Sequence, residues 1–568
     1  MTPSTFPRPP LMAATARSLA LAAAFLITAH STPADPPPLA DFPAPLSPQL
    51  PCDVDVNLVR QLDDQGQLEQ AQRQFDILSW QAFIALNWPA RADGRPDPAK
   101  SLSDNTSPRV WSYWRNADTI FLPNGAAPRI WEPSVNAVEN ENVYRVKAAW
   151  RQYANGANEN FEAFAGPLVD QNGKWVRYEV MVNHEEFDYI FKNELYNLEG
   201  EAAFSKLPDG NEVGFPLNEG AHKHGAIEIK LAWKELGAND DTNRFLVARI
   251  KATLAEPPAP GETGTPTREF NAGLVGMHIA MRTVSSPEWI WATFEQIDNV
   301  RVNHYPDGRP VHPNFFNPAL QVTNNVEPSM NAVLDPVTGY PLAATNPAAA
   351  TTWLEDLTTN PVQMARVVVP TQGQLNPLDQ TLLADAGSLN TRVQGLLTNA
   401  QSVLQYYELI DTQWPVHPNA PAFAGGANSE PESIAHKTPG DVVPTFLINT
   451  TMETYFQKGL QTAGSVEQDD RLPPNSPTID TNLVVATESC IGCHYSAGIC
   501  LGFKQDTNGV VLRDANGTPT PVFGENNHFG KTGGANFSWL LQLEPKSKTA
   551  FVTPPAVTPA KFLNVGSH

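Results

Sequence analysis

Cys490, Cys493 and His494 stand in the pentapeptide Cys490-Ile-Gly-Cys493-His494, a C-x-x-C-H pattern. Two thiols three positions apart on a turn can add across the two vinyl groups of a porphyrin, and the adjacent imidazole is then held beneath the iron. The spacing therefore predicts one covalent haem c, with Cys490 and Cys493 as its thioethers and His494 as the proximal ligand. Two other chemistries use paired cysteines. A thioredoxin-like redox pair needs a β–α context, and nothing of that kind surrounds the motif. A zinc site wants further ligands at set spacings; Cys500 and His528 are available for it, but no second C-x-x-C occurs.

Other reactive residues are few. Of four cysteines, Cys52 and Cys500 fall outside the motif, and in an oxidising compartment they could pair as a disulfide or stay as unrelated thiols. Gly530-Lys531-Thr532 is not a phosphate loop, because Gly524 lies one residue too far away for that spacing.

Haem attachment of this kind follows export, and the N-terminus has the matching order. Arg8 and Arg17 precede an apolar run from Leu19 to Ala29, with small residues through Ala34. Residues 1–34 read as a signal peptide cleaved between Ala29 and Ala34, with Met12 an alternative start and an uncleaved anchor the competing reading. The run is shorter than the ~20 residues a spanning helix needs, so no membrane span is expected after signal removal. A periplasmic or secreted location follows. The formal charge of −22 excludes nucleic acid as a partner, since its phosphates would meet a surface of the same sign. An acidic surface suits a basic redox partner, or solubility alone; oligomeric state is not set by the sequence.

The elements that must position the motif read as α+β. At 568 residues the chain is too long for a lone small electron carrier, and 53 prolines argue against a helical bundle. Residues 35–65 read as a proline-rich leader. Residues 66–350 read as an α+β body with a mostly antiparallel sheet and helical insertions. There Phe75, Leu78, Phe83, Ile84 and Leu86 recur at helical spacing between Leu68 and Trp88. In GAIEIKLAWK, Ile227, Ile229, Leu231 and Trp233 alternate with Glu228, Lys230 and Ala232, the period of a strand with one buried face. Glu228 and Lys230 on the other face read as a surface ion pair. Further strands are expected over Phe245–Leu254, Ala272–Val284 and Glu288–Asp298, and Asn183 is expected to cap a short helix carrying Phe187, Ile190, Phe191 and Leu195. Residues 301–350 read as long loops. Within 351–440, a helix is expected over Leu382–Trp414, followed by a proline-rich loop. Residues 441–545 read as a mainly helical haem-binding region, and 546–568 as an irregular tail.

The motif and the export signal together resemble those of c-type cytochromes, which carry electrons or bind small ligands at haem iron. The strict match covers five residues, and the region that could enclose a haem spans about 440 to 545. The remainder, with GAIEIKLAWKEL and PEWIWATFEQIDN, is similar to long exported bacterial single-haem proteins with no assigned reaction. The resemblance implies an exported monohaem carrier for one-electron transfer. A haem-dependent oxidoreductase, or a gas-binding sensor with an open iron, is the alternative. Small soluble cytochromes place a methionine ligand well downstream of the motif, but none of the eight methionines here lies beyond Met452. The distal ligand must be an upstream residue, a downstream histidine, or nothing. His528 in a glycine-rich loop and Met452 in INTTMETYF are the candidates, although a lone methionine also serves as core packing. His278, within the apolar GLVGMHIAM, is a third, although a satisfied core histidine is the competing reading.

Overall fold

The structure, a computed structural model, describes residues 38–142, 168–172, 174, 176–208, 213–253, 267–319, 363–364, 366, 386–415, 442–444, 447–454, 490–494, 497–513, 517–524 and 533–548. The signal peptide, His528, Gly530 to Thr532 and all but the first three residues of the tail lie outside the described residues.

Helix α1 (Val56–Asp64) starts where the Asp55 carboxylate accepts from the amides of Asn57 and Leu58, and it buries Val59 and Leu62, three positions apart. This helix occupies the last third of the proline-rich leader. Helix α2 (Leu68–Leu86) matches the predicted span to within two residues and is buried on nearly all sides. Helices α3 (Ala117–Ile120), α4 (Pro133–Asn142), α5 (His184–Lys192) and α6 (Leu198–Phe204) follow. Asn183 caps α5 through the Glu186 amide, as expected. Later come α7 (Ala386–Asn399), α8 (Cys490–His494) and α9 (Leu540–Leu543).

One antiparallel sheet organises these helices. Its strands are β1 (Arg115–Asn116), β2 (Arg177–Val182), β3 (Ile227–Glu235), β4 (Val247–Thr253), β5 (Thr267–Met281), β6 (Ile290–Gln296), β7 (Tyr407–Pro415) and β8 (Val442–Val443). The order is β1-β2-β3-β5-β6-β7-β8, with β4 paired on the first half of β5. A separate hairpin pairs β9 (Cys500–Phe503) with β10 (Pro521–Phe523).

Because side chains alternate across a strand, register fixes what each face displays. One face carries Ile227, Ile229 and Leu231 of β3, Met277 and Ile279 of β5, and Ala292 and Phe294 of β6, all buried in one cluster. Helix α2 lies on it. Phe83 stacks on Phe294 at 4.2 Å, Trp80 meets Phe294 edge-on at 5.0 Å, and Phe75 stacks on Trp414 at 4.4 Å. Each such ring contributes about 1.5–3 kcal/mol by burial. The polar groups beneath α2 find partners across it: Trp80 Nε1 donates to Asn390 Oδ1 of α7, and Gln72 donates to the Thr412 carbonyl of β7.

One sequence expectation needs correction. The helix expected over Leu382–Trp414 ends at Asn399, and Tyr407–Pro415 is strand β7. Its nine residues are all buried, so both faces are covered and the two-residue period is masked. Of the haem-binding region expected to be mainly helical, the described residues show α8, α9, the β9–β10 hairpin and β8, and about half of it lies outside the described residues.

Candidate haem site

The opposite face of the sheet mixes polar and apolar side chains, and the motif packs on it. Two cross-strand rows define it. The first runs Val182, Glu228, Ala280, Trp291 and Gln413 across β2, β3, β5, β6 and β7. The second runs Val180, Lys230, His278 and Thr293. Helix α8 seats on the first row: the Ile491 amide donates to Gln413 Oε1 at 2.8 Å, and Gln413 Nε2 donates to the Pro444 carbonyl at 2.6 Å. Ile491 is buried in one cluster with Ala280 and Trp291, and the partly buried Cys490 packs against that cluster. Cys493 follows three residues along the same short helix.

His494 is held from two sides. Its Nδ1 lies 2.7 Å from the Phe537 carbonyl oxygen, and the Trp291 ring lies 4.3 Å away at 47°. A carbonyl accepts only, so this contact places the proton on Nδ1 and the lone pair on Nε2. Burial pushes the His494 pKa down to about 3; the Phe537 contact opposes that shift and the nearby Lys230 charge adds to it. The ring is therefore neutral at physiological pH, as an iron ligand must be.

The backbone that presents this carbonyl is under strain. Among the described residues five non-glycine positions have positive φ, and three of them gather here: Trp289 (φ 68), Asn536 (φ 52) and Phe537 (φ 68). Such residues cost of order 1–3 kcal/mol each and collect where surrounding structure over-determines them. Trp289 Nε1 donates to the Asn536 carbonyl at 3.0 Å, tying two of the strained positions together. The next hydroxyl, Ser538 Oγ, donates to Glu228 Oε2 at 2.8 Å. Glu228 in turn faces Glu186 of α5. Burial raises the Glu186 carboxyl well above its ordinary range, with the Glu228 charge adding, and burial raises Glu228 to about 7. The pair retains a proton where lone carboxyls would be ionised.

In the second row, His278 Nε2 and Thr293 Oγ1 are buried and neither makes a hydrogen bond. The nearest acidic group to His278 is Glu453, with Oε2 3.6 Å from Nε2. Glu453 Oε2 already accepts from the Asn449 amide at 2.7 Å. The loop carrying Glu453 crosses the sheet at Gly276, where a Cβ would come within 2.2 Å of Thr451 Oγ1, so only glycine fits.

These features fit a haem c. The donor set is a thiol at Cys490, a helical C-x-x-C-H turn, and a neutral imidazole whose Nδ1 is fixed by a carbonyl, the arrangement that orients ligating histidines. Of the distal candidates, His278 shares the sheet face that α8 covers. Met452 is fully buried in the larger apolar cluster, and His528 lies outside the described residues. Glu228 and Lys230 do not form a surface ion pair: Glu228 bonds Ser538, and Lys230 lies 5.9 Å over the Tyr178 ring. Cys52 and Cys500 are free thiols. Cys52 Sγ lies 3.3 Å from His224 Nδ1, while Cys500 donates to the Gly502 carbonyl beside α6. Sequence reasoning missed Trp291, Gln413, Phe537 and Ser538. Only Trp291 carried a signal, since in WIWATFEQ it alternates with Ile290 and Ala292 and so faces away from the apolar core.

No family model, curated protein or solved structure matches the chain. Among the described residues no helix is long and apolar enough to cross a membrane.

Proposed function

We propose that this chain is an exported c-type cytochrome with one covalent haem, working by one-electron transfer in the periplasm or outside the cell. The observation that carries the reading is His494. It follows the two motif cysteines on one short helix, and its Nδ1 is bound to the Phe537 carbonyl, which sets the tautomer with the lone pair on Nε2. When bound, the haem supplies a one-electron couple. The protein's part is to anchor it through Cys490 and Cys493, ligate it with His494, and tune the ligand through the Phe537 carbonyl. Trp291 packs against the imidazole and restrains its rotation. The net charge of −22 suits a basic redox partner.

Replacing both Cys490 and Cys493 by alanine is the test. Wild type matured in a host with a haem-attachment system should carry haem that survives denaturing electrophoresis, and the double variant should carry none. Covalent haem persisting in the variant, or none in wild type, refutes the proposal. A second reading is a haem-dependent oxidoreductase or gas sensor with an open iron. A reduced spectrum that shifts under carbon monoxide would select it.

A further inference from the structure

The polar row on the motif face holds an imidazole that the rest of the fold does not use. Residue 278 falls near the C-terminal end of β5, flanked on its own face by Gly276 and Ala280, which have little or no side chain. The neighbouring strand positions in its row are Lys230 and Thr293. A histidine placed there for packing would satisfy both ring nitrogens, because a buried polar atom left without a hydrogen bond costs ~1–3 kcal/mol. His278 Nε2 has no such bond, its side chain is only 14% exposed, and Glu453 Oε2 stays at 3.6 Å, beyond hydrogen-bond reach. Thr293 Oγ1, directly across in register, is likewise buried without a bond. Two adjacent buried atoms in the polar row thus lack hydrogen bonds, and His278 Nε2 faces the Glu453 carboxyl at 3.6 Å.

That part of the row adjoins the motif. Ala280, two residues along β5, packs in one cluster with Ile491 of α8, and it pairs in register with Trp291, whose ring covers His494. The row's other basic group, Lys230, presents an ammonium with no lone pair to offer. Met452 is packed into the larger apolar cluster, a role that accounts for its thioether.

We infer that His278 Nε2 is the second axial ligand of the haem iron, opposite His494. The inference rests on the haem reading above and deepens it: an iron held by two imidazoles is low-spin and closed to gases, which selects electron transfer over sensing or oxidation.

The experiment uses the full matured chain, with covalent haem staining as a separate check on attachment. Near-infrared magnetic circular dichroism of oxidised wild type should show the charge-transfer band of two imidazoles. A band typical of imidazole–methionine or imidazole–water coordination overturns the inference without any variant. His278→Ala should then convert most of the haem to a high-spin form that binds carbon monoxide, and added free imidazole should restore the low-spin spectrum. His278→Met guards against a folding defect, and should move the band to the imidazole–methionine position. A low-spin spectrum unchanged in either variant, with haem still attached, overturns the assignment. Wild type without covalent haem strikes the haem reading itself, which the stain distinguishes from a failure of the ligand assignment.

Discussion

The two faces of the sheet are built by different physics. On the α2 face, stability comes from area: Trp80, Phe83, Phe294, Phe75 and Trp414 interlock with centroids 4.2 to 5.6 Å apart. On the motif face the same strands present Glu228, Lys230, His278, Thr293 and Glu295, with a carboxyl pair and three strained backbone positions close by. The motif face has a second apolar cluster of its own, around Trp289, Trp291 and Ile491, with the polar groups set into it.

The sharpest way to break this contrast is Trp80→Ala. Trp80 is fully buried and donates to Asn390, so its loss should cost about 3–5 kcal/mol in denaturant unfolding, with little change in the haem spectrum of the folded fraction. A large spectral change with a small stability loss would show that the faces are not separable in this way. Gly276→Ala tests the other side. The added methyl meets Thr451 Oγ1, so a loss of about 1–3 kcal/mol is expected from overpacking, accompanied by a spectral shift as the loop bearing Glu453 is pushed off the sheet. Stability and spectrum both at wild-type values would remove the close approach from the description.

The smallest effect concerns pH. Glu186 and Glu228 have folded-state pKa values raised by burial, Glu228 to about 7 from 4.5. A raised carboxyl pKa means the folded state holds a proton that the unfolded state releases. Its contribution is therefore present below the unfolded value and fades as pH rises through the folded one. Wild type should lose stability between pH 5 and pH 8, and Glu186→Gln, which has no proton to release, should flatten that decline. Parallel profiles for the two proteins would show that the pair does not share a proton.

How much of this could be seen in the sequence depends on range. The strand GAIEIKLAWK was legible because its four apolar residues repeat every second position and all four are buried. Helix α2 was legible for the same reason at the helical period. Strand β7 was not, because burial on both sides hides the alternation that marks a strand. The last turns of the leader could have been read, since Asp55 precedes Val56, Val59 and Leu62 in a helix-start pattern. At the site, the chemistry of Cys490 to His494 was written locally. Its surroundings were not: nothing near His494 in sequence announces Phe537 or Trp291, and the partnerless state of His278 is a property of neighbours on other strands.

The wall formed by residues 536–538 also carries a consequence for assembly. Its bonds to His494, Trp289 and Glu228 close separations of 43, 247 and 310 residues. Contacts of such long range are reached late, after the entropy of closing large loops has been met. The motif's wall therefore has to wait for a sheet that is already standing and for the last stretch of chain to arrive. A chain cut short before Asn536 would retain every residue of the α2 face yet present its imidazole to solvent, unanchored, so the C-terminal end decides when the centre is finished.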